Sequence, residues 1–294
     1  MTNTSAAIAE RKLRKEKQFV IVIKRLFKSP TATAGIIIFG VLALLAIFSP
    51  VITPYHYAEI NPSTRFLSPS WTHPCGTDNL GRDIFTRILF GGRYSLSMGF
   101  IAVFVSATFG ILIGSLCGYF GGRLDNYVMR FLDIFQAIPG MLLTIAIAAA
   151  LGSGFDKTIL ALAVSHIPQQ ARITRSSVMK VRGNEFIEAA EAIGCNQFRR
   201  IFIHVLPNSL APVLVQVTME IANTILILSS LSYIGLGIQP PIPEWGAMLS
   251  AGRAYIRTYP YMIIFPGLFI AITVLALNLA GDGLRDALDP RLKD

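Results

Sequence analysis

Six stretches of this chain, residues 31–53, 94–118, 134–151, 158–171, 210–238 and 260–281, are strongly apolar, and most are close to 20 residues long. A hydrocarbon core about 30 Å thick is crossed by about 20 helical residues at 1.5 Å rise each. Inside it a backbone must satisfy its own hydrogen bonds, so a continuous apolar run of that length has to be helical. Composition agrees: 53% of residues are hydrophobic and 15% charged, where soluble domains carry about 25% charged residues. The sequence therefore predicts an all-α polytopic membrane protein with six transmembrane helices. The fourth run is the weakest, being short, interrupted by Pro168 and ending at Arg172 and Arg175. Gly152, Ser153 and Gly154, then Asp156 and Lys157, mark a tight turn before it.

Charge sets the orientation. The 26 Lys and Arg outnumber 17 Asp and Glu, for a net charge of +9. Eight of them (Arg11, Lys12, Arg14, Lys15, Lys17, Lys24, Arg25 and Lys28) precede the first apolar run. Cytoplasmic loops collect Lys and Arg, which places both termini and the basic segment near residue 190 inside. No small-x-small cleavage site follows the first run, so it reads as an uncleaved span. Arg65, Arg82, Arg87 and Arg93 run against the rule, since all four fall in the first external segment, 54–93. That segment opens with turn residues (Pro54, Asn61, Pro62, Pro69, Pro74). It closes on an expected amphipathic surface helix, 78–90, with Asp83 and Arg87 paired four apart. The expected division is residues 1–93, the basic N-terminus, first span and external segment, followed by residues 94–294, the main transmembrane domain with a cytoplasmic loop at 182–208.

Several functions are excluded. No basic groove interleaves with aromatic residues, so nucleic acid is not a partner. Cys75, Cys117 and Cys195 sit in separate segments, which predicts three unpaired thiols and neither a disulfide framework nor a metal site. Residues 152–158 (GSGFDKT) lack the phosphate-loop spacing. No Ser/His/Asp set or HExxH motif occurs, and His166 reads as a residue at the end of a span. The chain is expected to catalyse no covalent chemistry and to bind no cofactor.

The loop at 185–207, EFIEAAEAIGCNQFRRIFIHVLP, is the informative one. Asn184 is a candidate helix cap, residues 185–193 favour a short helix, and Gly194 stands where a left-handed residue ends one. Asn196 can cap a second helix, which Pro207 is expected to terminate. Ala189 and Ala190 keep the projecting surface low. On these residues the loop resembles the Glu-Ala-Ala loop of ATP-binding cassette importer permeases, whose pattern is EAA, three residues, Gly, nine residues, Ile, one residue, Leu-Pro. Glu188, Ala189, Ala190, Gly194, Leu206 and Pro207 match, and His204 stands in the Ile position. Residues 76–96, 239–249 and 281–290 further resemble the second, shorter permease of the dipeptide, oligopeptide and nickel branch.

The resemblance implies the type I importer permease fold in a bacterial inner membrane. It implies a second, homologous permease, two ATPase subunits that use ATP and Mg, and a periplasmic or lipid-anchored substrate-binding protein, all within membrane lipid. The loop would dock on an ATPase. Peptides are the expected cargo, with nickel, glutathione or another small solute as alternatives. An ion-gradient-driven transporter is the competing class, which several intramembrane carboxylates would favour.

Only Glu220, with Thr218 and Asn223 nearby, places a carboxylate deep in an apolar run. It either lines a translocation path with Asn223 or pairs with a neighbouring helix. Asp133 and Arg130 are expected to pair, and Asn278 reads as helix-packing glue. Pro240, Pro241, Pro243 and Trp245 form a stiff external turn, either part of a gate or an interfacial anchor.

Overall fold

The computed structural model describes residues 22–288. The first five basic residues of the N-terminus and the end of the 281–290 motif lie outside that range. Nine helices of eight residues or more organise the described residues: α1 Pro30–Ile47, α2 Ile84–Phe120, α3 Gly122–Gln136, α4 Gly140–Leu151, α5 Phe155–Arg182, α6 Glu185–Ala192, α7 Leu206–Tyr233, α8 Trp245–Gly252 and α9 Tyr261–Leu288. Among these residues there is no strand beyond one isolated bridge, Thr77 to Asp83.

By length and composition, fewer than the expected six helices qualify as spans among the described residues. Four helices are long and apolar enough to cross a membrane: α1, α2, the continuous helix Gln197–Tyr233, and α9. The third expected run is not one helix. Pro139 bars the helical conformation at Ile138, and α3 and α4 meet there at 85°. Together they form at most one broken span. The fourth run extends well past its expected end, because Pro168 is accommodated inside the 28-residue α5. The C-terminal half of α5 carries Arg172, Arg175, Lys180 and Arg182, which removes it from the apolar class.

The most extensive packing joins α2 to α5. A Cβ on Gly110 would lie 2.4 Å from Gln170 Cβ, and one on Gly114 would lie 2.3 Å from Ala171 O. These glycines stand one turn apart on α2, and only their missing side chains let the two backbones approach so closely. At the C-terminal end of α5, Arg182 Nη1 donates to Tyr119 O at 2.6 Å, closing the last turn of α2. Asp125, at the start of α3, takes a bidentate grip from Arg175, both bonds at 2.5 Å.

No separate surface helix exists at 78–90. Residues 78–83 form a turn, and Asp83 caps α2 by accepting from Thr86 N at 2.7 Å. Ile84, Ile88 and Leu89 are buried in the protein, so the apolar face meets neighbouring helices instead of lipid. The expected Asp83–Arg87 pair is likewise absent: Asp83 Oδ1 bonds His73 Nδ1 at 2.9 Å. Arg82 and Arg87 turn to Asp78, at 2.7 and 3.7 Å. Asp78 thus offsets one positive charge of the two arginines it holds, among the four that contradict the orientation rule. Trp245 is not an interfacial anchor. It is 2% exposed, donates from Nε1 to Ile88 O at 2.9 Å, and begins α8 behind the buried cap Glu244.

A rigid elbow and a polar cleft

The loop between α5 and α7 folds as two helical pieces about a glycine. Asn184 precedes α6 without capping it by its side chain; its carbonyl instead accepts from Ile187 N at 2.8 Å. Glu185 and Glu188 occupy the first turn, where the helix dipole favours acids. At the other end Gly194 N donates to Glu191 O at 2.9 Å and Cys195 N to Ala190 O at 3.0 Å. With Gly194 at φ +78°, this is the Schellman arrangement. Asn196 then caps the next helix as expected, accepting from Arg199 N at 2.8 Å.

Pro207 does not end that helix. Residues Arg200–Val205 form a π turn, in which Leu206 N reaches Ile201 O. Because Pro has no N–H, the widened turn before it needs one donor fewer, and the helix runs on to Tyr233. His204 lies in this turn, half-buried, with its carbonyl accepting from Asn208 Nδ2 at 2.5 Å. Leu206 and Pro207 follow at the start of α7.

Packing brings the two halves of the motif together. Ile187 of α6 and Val205 of the π turn are buried against Val178 of α5. Across the elbow, Arg200 Nη1 bonds Glu191 Oε2 at 2.6 Å and its guanidinium lies over the Tyr119 ring. Ala190 faces inward, whereas Glu188, Ala189 and Gly194 are exposed. The same fold leaves Phe186, Ile193 and Phe198 exposed, Ile193 by 84%. These three apolar side chains were not singled out from sequence. Their only signal is an apolar residue flanking each arm of a charged loop.

A second feature lies within the helices. A cleft of about 310 Å³ is lined by Gln169 of α5, Gln216, Glu220 and Asn223 of α7, and Asn278 of α9. Glu220 is 3% exposed and engaged at both oxygens. One oxygen pairs with His166 Nδ1, and the other accepts from Gln170 at 3.0 Å and Gln216 at 3.3 Å. His166 is therefore a buried partner within α5 and not a residue at its end. Asp133 does not pair with Arg130; it takes Arg172 from α5.

A multi-pass helical body that displays a stiff, apolar-tipped elbow has the build of a transporter's membrane subunit. Residues 110–294 match the family described as the binding-protein-dependent transport system inner membrane component. Residues 17–69 match the N-terminal transmembrane domain of oligopeptide transport permease C. The chain belongs to this family of ABC importer permeases. It is 47% identical over 270 residues to the dipeptide transport system permease DppC of Alkalihalophilus pseudofirmus, covering 92% of this chain and 89% of that one. It is 40% identical to the di/tripeptide permease DppC of Pseudomonas aeruginosa, covering 90% and 89%. To the glutathione permease GsiD of Pectobacterium atrosepticum it is 41% identical, covering 92% and 90%. Among solved structures, the inward-facing MetNI methionine ABC transporter superposes with a TM-score of 0.57 at 19% identity, covering 69% of this chain and 96% of that one. The family sets aside the ion-gradient alternative.

Proposed function

We propose that the chain is one of two permeases enclosing the path of an ATP-driven importer for short peptides. The elbow carries the reading. Its arms are tied by the Glu191–Arg200 pair and by the buried Ile187, while Phe186, Ile193 and Phe198 face outward for a partner. Glu188, Ala189, Ala190, Gly194, His204, Leu206 and Pro207 form or flank the surface that an ATPase subunit grips. The ATP and Mg act on two such subunits, and this chain performs no hydrolysis. Both termini face the cytoplasm of a bacterial inner membrane, and a second, homologous permease completes the path, with Glu220 and Asn223 on its wall. Cargo arrives from an extracytoplasmic binding protein.

Closure of the ATPase dimer pushes the elbow, and the unbroken helix from Gln197 to Tyr233 carries that push into the membrane. Shifting the path from 99:1 inward to 1:99 needs about 5.5 kcal/mol of differential interaction, which a floppy loop would dissipate.

Peptide cargo rests on the named relatives. The glutathione permease, at 41% identity, supports glutathione, itself a tripeptide, as a second candidate. Reconstitution with the co-purifying subunits and receptor tests both. Labelled di- and tripeptides should accumulate only with ATP. Accumulation of glutathione or nickel but not peptides would overturn the cargo, and accumulation on a proton or sodium gradient alone would overturn the mechanism.

A further inference from the structure

The intramembrane cleft holds an unusual chemistry. Each of its four carboxamides, Gln169, Gln216, Asn223 and Asn278, stands at least 10 residues from either end of its helix as bounded above. At the helical rise that is about 15 Å or more from each end, midway along the helices, where Gln169 and Asn223 are exposed on the open side of the cleft. Polar groups at such depth are costly unless they meet a partner or a wet path. Gln216 meets Glu220, yet among the described residues Gln169, Asn223 and Asn278 make no side-chain hydrogen bond. Their donors and acceptors face the cleft with nothing of this chain to bind. The one carboxylate is 3% exposed, with His166 on one oxygen and Gln170 and Gln216 on the other.

We infer that these carboxamides form a binding site for the main chain of a peptide in transit, with Glu220 positioning Gln216 instead of meeting a cargo cation. This deepens the proposed function and rests on it. A carboxamide presents a donor and an acceptor side by side, the same pair that every peptide unit presents. Such a site replaces water around the backbone of any passing peptide. With its carboxylate 3% exposed and turned to His166, Gln170 and Gln216, the site presents amides to a cargo side chain and no exposed charged group. A volume of about 310 Å³ falls at the lower end of small-ligand sites.

The test uses the complete transporter with its partner permease, ATPases and receptor. Asn223→Leu and Asn278→Leu remove the amide at similar volume, and Asn223→Gln retains it. Uptake is measured for labelled tri-alanine, tri-lysine and tri-glutamate. Each Leu variant should lower uptake of all three peptides by the same factor, about tenfold for a lost hydrogen bond at a desolvated site, and Asn223→Gln should recover most of it. Unchanged uptake in both Leu variants overturns the inference while leaving peptide transport intact. So does a loss confined to tri-lysine or tri-glutamate, which would signal side-chain reading. Failure of the Leu variants to co-purify with the second permease also overturns it, since the amides would then be subunit glue. If the wild-type transporter carries none of the three peptides, the cargo reading falls and this inference falls with it.

Discussion

Arg200 reaches back over the Gly194 elbow to bond Glu191 at 2.6 Å, joining the two helical arms that flank it. Arg200 is buried and also lies over Tyr119 of α2, while Glu191 is largely exposed. The pair therefore fixes the angle of the elbow more than it stabilises the protein. Glu191→Ala should leave assembly of the transporter intact and lower solute moved per ATP hydrolysed by a factor of about 2 to 5, the range of a partly exposed ion pair. Unaltered coupling would show that the elbow keeps its angle without this bond.

Gly194 is required for its backbone and not for space. Its φ is +78°, and nothing lies within 4 Å of where a Cβ would stand. Gly194→Ala should cost about 1–2 kcal/mol of left-handed strain, and Gly194→Asn less, because Asn tolerates that region. Thermal unfolding and ATP-coupled uptake of the two variants check the order. Equal behaviour of Ala and Asn would remove the strain explanation.

Gly114 presents the opposite case. A methyl there would stand 2.3 Å from Ala171 O, on backbone that cannot step aside without parting α2 from α5. Gly114→Ala should destabilise the detergent-solubilised protein by about 1–3 kcal/mol. Gly40→Ala, in open space within α1, serves as the control and should melt no lower than the wild type.

Cys75 is buried beside Asp83. Burial first, then the nearby carboxylate, pushes its thiol from 9.0 up to about 12. It stays protonated at neutral pH, so a maleimide at pH 7 should label the half-buried Cys195 well before Cys75. The raised value also means that the unfolded chain loses this proton first. The contribution to stability is complete below pH 9 and falls as pH rises from 9.0 towards about 12. Equal labelling rates for Cys75 and Cys195 in the folded transporter would contradict this.

The membrane class, the helical body and the elbow's two-arm plan were legible in the chain because each depends on local spacing. Uninterrupted apolar length demands helix in lipid, and Gly194 and Asn196 act within one turn of themselves. The elbow's exposed surface was less legible. Phe186, Ile193 and Phe198 are ordinary apolar residues until the fold buries Ile187 and Val205 and leaves those three outside.

Local rules misled wherever a distant partner competed. Asp133 lies three residues from Arg130 but bonds Arg172, 39 residues away. Asp83 could have paired with Arg87 and instead caps α2 while holding His73. Pro207 carries a stop signal, which the π turn absorbs because α7 continues into a packed core. Pro139 shows the converse, a local break that does turn the chain and leaves the expected third span in two pieces. Trp245, read as part of an external turn, is drawn inward by Ile88, and its neighbour Glu244 by Ser95, each about 150 residues earlier.

The amino-acid sequence alone thus determined a lipid-embedded helical chain with a two-armed elbow at 185–207, since apolar length and turn chemistry act over a few residues. Only the tertiary structure decided the partners of its buried charges, the cleft beside Glu220 and the number of uninterrupted apolar helices. A charge excluded from water takes whichever counter-group the packing of helices brings within reach, and no periodicity along one strand of sequence encodes that choice.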